Sequence, residues 1–269
     1  MNEMKITIIG GGNMGEAMLS AILKKGLSTP QAISVSDIDE ARRQYLGQEY
    51  GVAAVSSNQL AVTKGEVVVL AIKPQNLIEV MTELNGQLKS NQLVLSIIAG
   101  ARINTLRLGL NHSRVVRAMP NMPAQIGEGI SVWTATTEVT QQQKEWASSI
   151  LGAMGKAIYV DDEKYIDMAT AVSGSGPAYF FLMVESLVNA AVQIGLPYDT
   201  AQELVLQTIL GSGHVIQRSG KSPAELRRMV TSPGGTTAEA LLQLEKGKFN
   251  DLIMQAVSAA YDKAKRLGS

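Results

Sequence analysis

The chain has 269 residues, 24 Lys+Arg against 24 Asp+Glu and no cysteine. Balanced charge argues against a phosphate-backbone binder, and the lack of Cys removes disulfides, thiol nucleophiles and thiolate metal sites. Two histidines, His112 and His214, and 4% aromatic residues leave little for a His-rich metal site, a Ser-His-Asp triad or a base-stacking platform.

In chain order, the opening MNEMKITIIGGG is too short in its apolar run for a signal peptide. A cytoplasmic protein without a bound metal is expected. Strands are predicted at 5–9, 33–36, 67–72, 93–98, 114–118, 129–134 and 156–160, with helices between, such as 15–25 and 39–50. The runs VVVLAI and LVLSII are apolar without alternation, as strands covered on both faces are. This is the doubly wound α/β pattern. After about Asp162 no strand is predicted. Three hydroxyl-x-x-Glu boxes, at Thr200–Glu203, Ser222–Glu225 and Thr236–Glu239, mark helix starts, while Gly195-Leu-Pro197 and Gly211-Ser-Gly213 read as helix stops. The division expected is a dinucleotide-binding domain over 1–162 and an all-helical domain over 163–269. Its stretch 178–196 is apolar apart from a stripe of Glu185, Asn189 and Gln193, which suggests a partner subunit and not a membrane span.

Gly10-Gly-Gly12-Asn13-Met14-Gly15 fits G-x-G-x-x-G between a strand and a helix, the arrangement that places a pyrophosphate at a helix N-terminus. Asp37 follows the second strand, 22 residues after Gly15, where an acid binds a ribose hydroxyl or else caps the next helix, as Asp39 also could. Arg42 and Arg43 follow and would favour a 2′-phosphate. Ala71-Ile72-Lys73-Pro74 ends a buried strand, where open α/β sheets bind ligands. Asn121, in a loop with two prolines, either faces the nicotinamide or shapes the turn. Ser175 or Gly176 is expected at the N-cap of the apolar helix. Thr231-Ser232-Pro233-Gly234-Gly235-Thr236-Thr237 places glycines before a helix start, where N–H groups and the helix dipole favour an anion. In the capping-box reading Thr236 caps and Thr237 keeps a free hydroxyl. Both histidines read as surface residues.

IIGGGNMGEAM, AIKPQ, the AG of SIIAG, VRAMPNMPAQIGEG, AVSGSGPAYFF and PAELRRMVTSPGGTTAEAL together resemble the pyrroline-5-carboxylate reductases, over essentially the whole chain. The resemblance implies reduction of 1-pyrroline-5-carboxylate to L-proline. NADPH would be preferred and NADH possible. It implies a homodimer or a higher homo-oligomer such as a decamer, with the active site between one subunit's cofactor domain and its partner's helical domain. Gly10 to Gly15, Ser36, Asn58, Ala71 to Pro74, Ala99 and Gly100 match cofactor positions. Ser175, Ser232, Gly235, Thr236 and Thr237 match substrate positions, with Thr237 the donor to the imine nitrogen. A 3-hydroxyisobutyrate-type dehydrogenase would need a Lys in the helical domain, and none occurs from Gly174 to Gly220. A non-catalytic dinucleotide sensor would not need TSPGGTT.

Overall fold

The structure, a computed structural model, describes residues 3–268. Its strands are β1 (Ile6–Ile9), β2 (Ile33–Ser36), β3 (Ala53–Val55), β4 (Val67–Leu70), β5 (Leu93–Ser96), β6 (Val115–Met119), β7 (Gly129–Ala135) and β8 (Gly155–Tyr159). They form one sheet in the order β3-β2-β1-β4-β5-β6-β7-β8. All pairs are parallel except β6 with β7. The helices are α1 (Asn13–Lys24), α2 (Glu40–Tyr50), α3 (Asn58–Val62), α4 (Leu77–Leu84), α5 (Ile103–Leu110), α6 (Gln141–Ala153), α7 (Lys164–Ala169), α8 (Gly176–Gln193), α9 (Tyr198–Ser219), α10 (Pro223–Met229), α11 (Thr236–Lys246) and α12 (Phe249–Leu267).

The unbroken apolar strands are explained by two helical layers. Successive side chains of a strand point to opposite faces. On β4, Val67 and Val69 pack with Met18 and Ile22 of α1 and Ile150 of α6. Val68 and Leu70 pack on the other side with Val80 and Leu84 of α4 and Leu106 of α5. An α/β doubly wound sheet results, as the sequence indicates. β3 has no counterpart among the strands read from the sequence. It is three residues long and half-exposed, too short for a periodic signal.

The chain divides into two compact units, one running to Pro177 and including Ala260 onward, the other Ala178–Ala259. Among the described residues of the second unit, only Val188 and Ala201 are buried hydrophobics. Phe180, Leu182 and Ile194 are 61%, 64% and 83% exposed in the single chain. A unit with so little core lacks the buried area that stabilises a domain on its own, so covering these faces is worth about 1.5–3 kcal/mol per large side chain.

Several helix boundaries differ from the sequence reading. Gly211-Ser-Gly213 does not stop a helix, because α9 runs through it to Ser219. Neither glycine takes the left-handed conformation that a stop requires, whereas Gly195 and Gly220 do. Thr200 is not an N-cap, since α9 begins after Pro197. Ser175 is not one either. It is right-handed helical, its N–H bonds the Thr170 carbonyl, and a π-helical turn, Thr170–Gly174, joins α7 to α8. Of the three boxes, only Ser222 with Glu225 forms.

Candidate active site

The strand order reverses at β1 and β4, where open α/β sheets leave a crevice beyond the strand ends. The chain leaving β1 enters that crevice as Gly10–Gly15, and the chain leaving β4 as Ala71–Pro74. Gly10 has φ +98°, and a Cβ there would lie 2.7 Å from the Ala71 carbonyl oxygen. A Cβ on Gly15 would overlap the Gly10 carbonyl. These two glycines are therefore demanded by the chain itself. Gly12 is not. It has φ −67° and nothing within 4 Å of where a Cβ would stand. The N–H groups of Asn13 and Met14, in the first turn of α1, find no acceptor among the described residues. An open cradle under a helix N-terminus fits a pyrophosphate, whose oxygens need close backbone approach.

Around this loop the polar groups are tied down. Asp37 accepts the Gly11 N–H (2.8 Å) on one oxygen and the Asp39 N–H (2.9 Å) on the other. Asp39, not Asp37, caps α2. Arg42 does not stand free for a phosphate, because it bonds the Gly11 carbonyl and pairs with Glu16. Glu16 also accepts from Tyr45 and Tyr50. Burial would raise its carboxyl, yet the hydrogen bonds from Arg42 and the two tyrosines hold it below the usual range. The Tyr50 phenol is pushed up to about 12, by burial first and then by the Glu16 carboxylate. Arg43 closes the β2–α2 loop by donating to the Asp37 and Ile38 carbonyls, 2.9 Å each.

Ser36 is fully buried and donates to the Asn58 amide oxygen (2.6 Å), while the Asn58 amide nitrogen donates to Glu83 (2.6 Å). Lys73 is exposed at the end of the β4 segment. Ala99 and Gly100 follow β5. Gly100 has φ +77°, and a Cβ there would stand 2.7 Å from Leu267 near the end of α12, so chain packing alone requires this glycine. Asn121 uses its side-chain oxygen to accept the Ile130 N–H (2.9 Å), which makes it a turn former. Gly174, in the π turn, packs under the Met119 side chain, and Gly176 is buried.

In the second unit, Ser232 to Gly235 form a turn closed by the Gly235 N–H on the Ser232 carbonyl (3.0 Å). Pro233 followed by Gly234 at φ +66° suits the two central positions of a type II turn. The N-cap of α11 is Gly235, with no side-chain cap. Thr236 as cap is thus a correction: the chain enters the helix one residue earlier, and Thr236 and Thr237 occupy its first two positions. Their N–H groups and hydroxyls bond nothing among the described residues, and Thr237 is the less exposed of the two. Ser232 is exposed. Eleven residues of helix with free first-turn donors favour an anion.

His112 is a further correction. It is 7% exposed, not a surface residue, and its Nε2 lies 2.8 Å from the Gln92 carbonyl. The sequence reading also passed over Arg117, on β6, which is 1% exposed and pairs with Glu163 (2.8 Å) and Asp167 (2.6 Å). An arginine inside an apolar strand, with two carboxylates four apart on a later helix, is the signal that could have found it.

Comparison with known proteins adds to this geometry. Residues 163–267 match the family model described as pyrroline-5-carboxylate reductase dimerisation. Residues 5–100 match that of NADP oxidoreductase, coenzyme F420-dependent. The chain is 40% identical over 266 residues to a pyrroline-5-carboxylate reductase from Synechocystis sp., covering 99% of each. It is 41% identical over 268 residues to one from Pseudomonas aeruginosa, covering 99% of this chain and 98% of the other. A solved reductase of that name from Coxiella burnetii superposes with TM-score 0.91 at 37% identity, covering 100% of both chains. A Plasmodium falciparum pyrroline carboxylate reductase with NADP bound superposes at 0.91 and 32% identity, again covering 100% of both.

Proposed function

The chain belongs to the pyrroline-5-carboxylate reductase family, and from that premise we propose that it reduces 1-pyrroline-5-carboxylate to L-proline with NADPH, the last step of proline synthesis. The carrying observation is a loop glycine, Gly12, that the fold leaves free for a ligand, in a chain alike over its whole length to reductases of this name.

In this reading Gly10, Gly12, Asn13, Met14 and Gly15 receive the pyrophosphate. Ser36, Asp37 and Asn58 line the adenosine ribose. Ala71, Ile72, Lys73, Pro74, Ala99, Gly100 and Asn121 border the nicotinamide half. When bound, the reduced nicotinamide supplies the hydride. The protein's own work is positioning, which contributes about 7–11 kcal/mol in well-oriented systems. The first-turn N–H groups of α11, with Ser232, Gly235 and Thr236, take the substrate carboxylate. Ser175 and Gly176 border the ring. The substrate enters as the protonated imine, its carbon accepts the hydride, and the Thr237 hydroxyl donates to the lone pair that forms on the nitrogen as the C=N double bond becomes single. No histidine, thiol or metal is needed when the imine enters protonated.

The chain forms a homo-oligomer, for which the exposed apolar faces of the helical unit supply the contact. We assign a dimer as its basic form and a decamer as the higher assembly, the site being completed across subunits. One helix among the described residues, 164–193 counted through the π turn, is long and apolar enough to cross a membrane. The dimerisation model covers it, so its apolar side is read here as subunit contact in a cytoplasmic enzyme that needs neither membrane nor nucleic acid.

Substrate-dependent oxidation of NADPH, compared with NADH and with 3-hydroxyisobutyrate as alternative substrate, tests the reading. Turnover with pyrroline-5-carboxylate and none with the hydroxyacid is expected. Cofactor binding without turnover of either would favour the sensor.

A further inference from the structure

Burying a guanidinium is costly unless every charge is matched. Arg117 lies in the middle of β6, between Val116 and Ala118, which face the core layer shared with α1 and α6. By alternation its own side chain faces the other layer. There its two terminal nitrogens each take a different carboxylate, Glu163 and Asp167. The carboxylates are four residues apart, at the start of α7 and within it, so they share one helix face. Both carboxylates have second partners. Glu163 accepts the Ile103 N–H at the start of α5 (2.8 Å), and Asp167 lies 3.6 Å from Arg102.

One buried side chain therefore joins three segments. β6 leads within four residues to Asn121. Arg102 and Ile103 end the loop carrying Ala99 and Gly100. α7 passes through the π turn to Ser175 and Gly176. The loop after β5 has a second support, because Gly100 packs on Leu267 and Gly268 on Arg102. α7 is also held by the buried side chain of Ile166 and by the Glu163 bond to Ile103, and to these the fork adds two ion pairs with β6. π turns are single-turn irregularities found mostly at functional sites, and this one, held by the Ser175 N–H on the Thr170 carbonyl and by Gly174 under Met119 of β6, carries the position of α7 on to Ser175 and Gly176.

We propose that Arg117 is a positioning residue for the reaction: its fork on Glu163 and Asp167 fixes α7, and through the π turn sets Ser175 and Gly176 against the ring of the substrate. The proposal rests on the reductase reading, and wild-type turnover checks that reading separately. Lysine keeps the charge of Arg117 but lacks the planar fork that reaches two carboxylates.

The test compares wild type with Arg117→Lys and Asp167→Asn, each assayed well below its melting temperature. A displacement of about 1 Å costs on the order of 100-fold, so kcat/KM for pyrroline-5-carboxylate should fall by about that factor. The Kd for NADPH, titrated directly, should change by less than about threefold because the loop after β5 keeps its second support. A purely structural role would lower the melting temperature and leave kcat/KM of the folded enzyme at the wild-type value, which would overturn the proposal. So would a loss of NADPH affinity in step with the loss of turnover. If Arg117→Lys does not fold, Asp167→Asn, which keeps side-chain size and one acceptor, decides by the same readings. A wild type without turnover would instead overturn the reductase reading.

Discussion

Gly12→Ala separates the needs of the fold from those of a ligand. The backbone at Gly12, φ −67° and ψ −174°, is open to any residue, and an added methyl meets nothing within 4 Å. Alanine at an N-cap costs about 0.5–1 kcal/mol relative to glycine, while the stiffer unfolded chain returns about 0.4–1 kcal/mol. The melting temperature should therefore move by about 2 °C or less. The methyl would occupy the space through which a pyrophosphate approaches the α1 N-terminus. Losing one charge-assisted N–H bond costs about 1.5–3 kcal/mol, roughly 10- to 150-fold in Kd. Gly10→Ala is the control. Its φ of +98° and the 2.7 Å approach to the Ala71 carbonyl predict a destabilisation of about 2–6 kcal/mol. Titration of NADPH fluorescence and thermal melts on both variants give the readings. A Gly12→Ala protein that binds NADPH like wild type would refute the pyrophosphate assignment.

Thr237→Ala should cut turnover by roughly 30- to 1000-fold with cofactor affinity kept, whereas Thr236→Ala, no longer a cap, should leave the melting temperature within about 1 °C. Arg43 still offers guanidinium nitrogens beyond its two loop carbonyls, so Arg43→Ala should raise the KM for NADPH about 10-fold and spare NADH, as paired steady-state assays would show. Burial, with Arg114 adding to it, holds the His112 imidazole below its usual range despite the Gln92 carbonyl. The unfolded chain therefore takes up a proton near pH 6.5 that the folded chain refuses, so stability is full above that pH and falls below it. Urea melts should show a shallower acid loss for His112→Gln. Sedimentation at micromolar concentration should find no stable monomer, and a folded active monomer would contradict the subunit-contact reading of Phe180, Leu182 and Ile194.

Much of the fold was legible in the residues. Continuous apolar runs such as VVVL announce a sheet covered on both faces, and the GGGNMG turn announces its crevice. Roles of neighbouring polar residues were less legible, because identity does not fix which of two adjacent groups meets the backbone. Asp37 and Asp39 could each cap α2, and only the path of the loop gives the cap to Asp39 and the Gly11 N–H to Asp37. Thr236 failed as a cap for the same reason: a turn ending at Gly235 moves the helix start by one residue. The partners of Arg117 lie 46 and 50 residues away, beyond any local pattern.

The most direct test of hydride delivery is transfer of a label. The enzyme should be given pyrroline-5-carboxylate and NADPH deuterated at the transferable position of the nicotinamide, and the product analysed by mass spectrometry and NMR. One deuterium should appear on the former imine carbon of L-proline for each NADPH oxidised. Proline without deuterium, or NADPH oxidised without proline, would contradict direct hydride delivery to the imine.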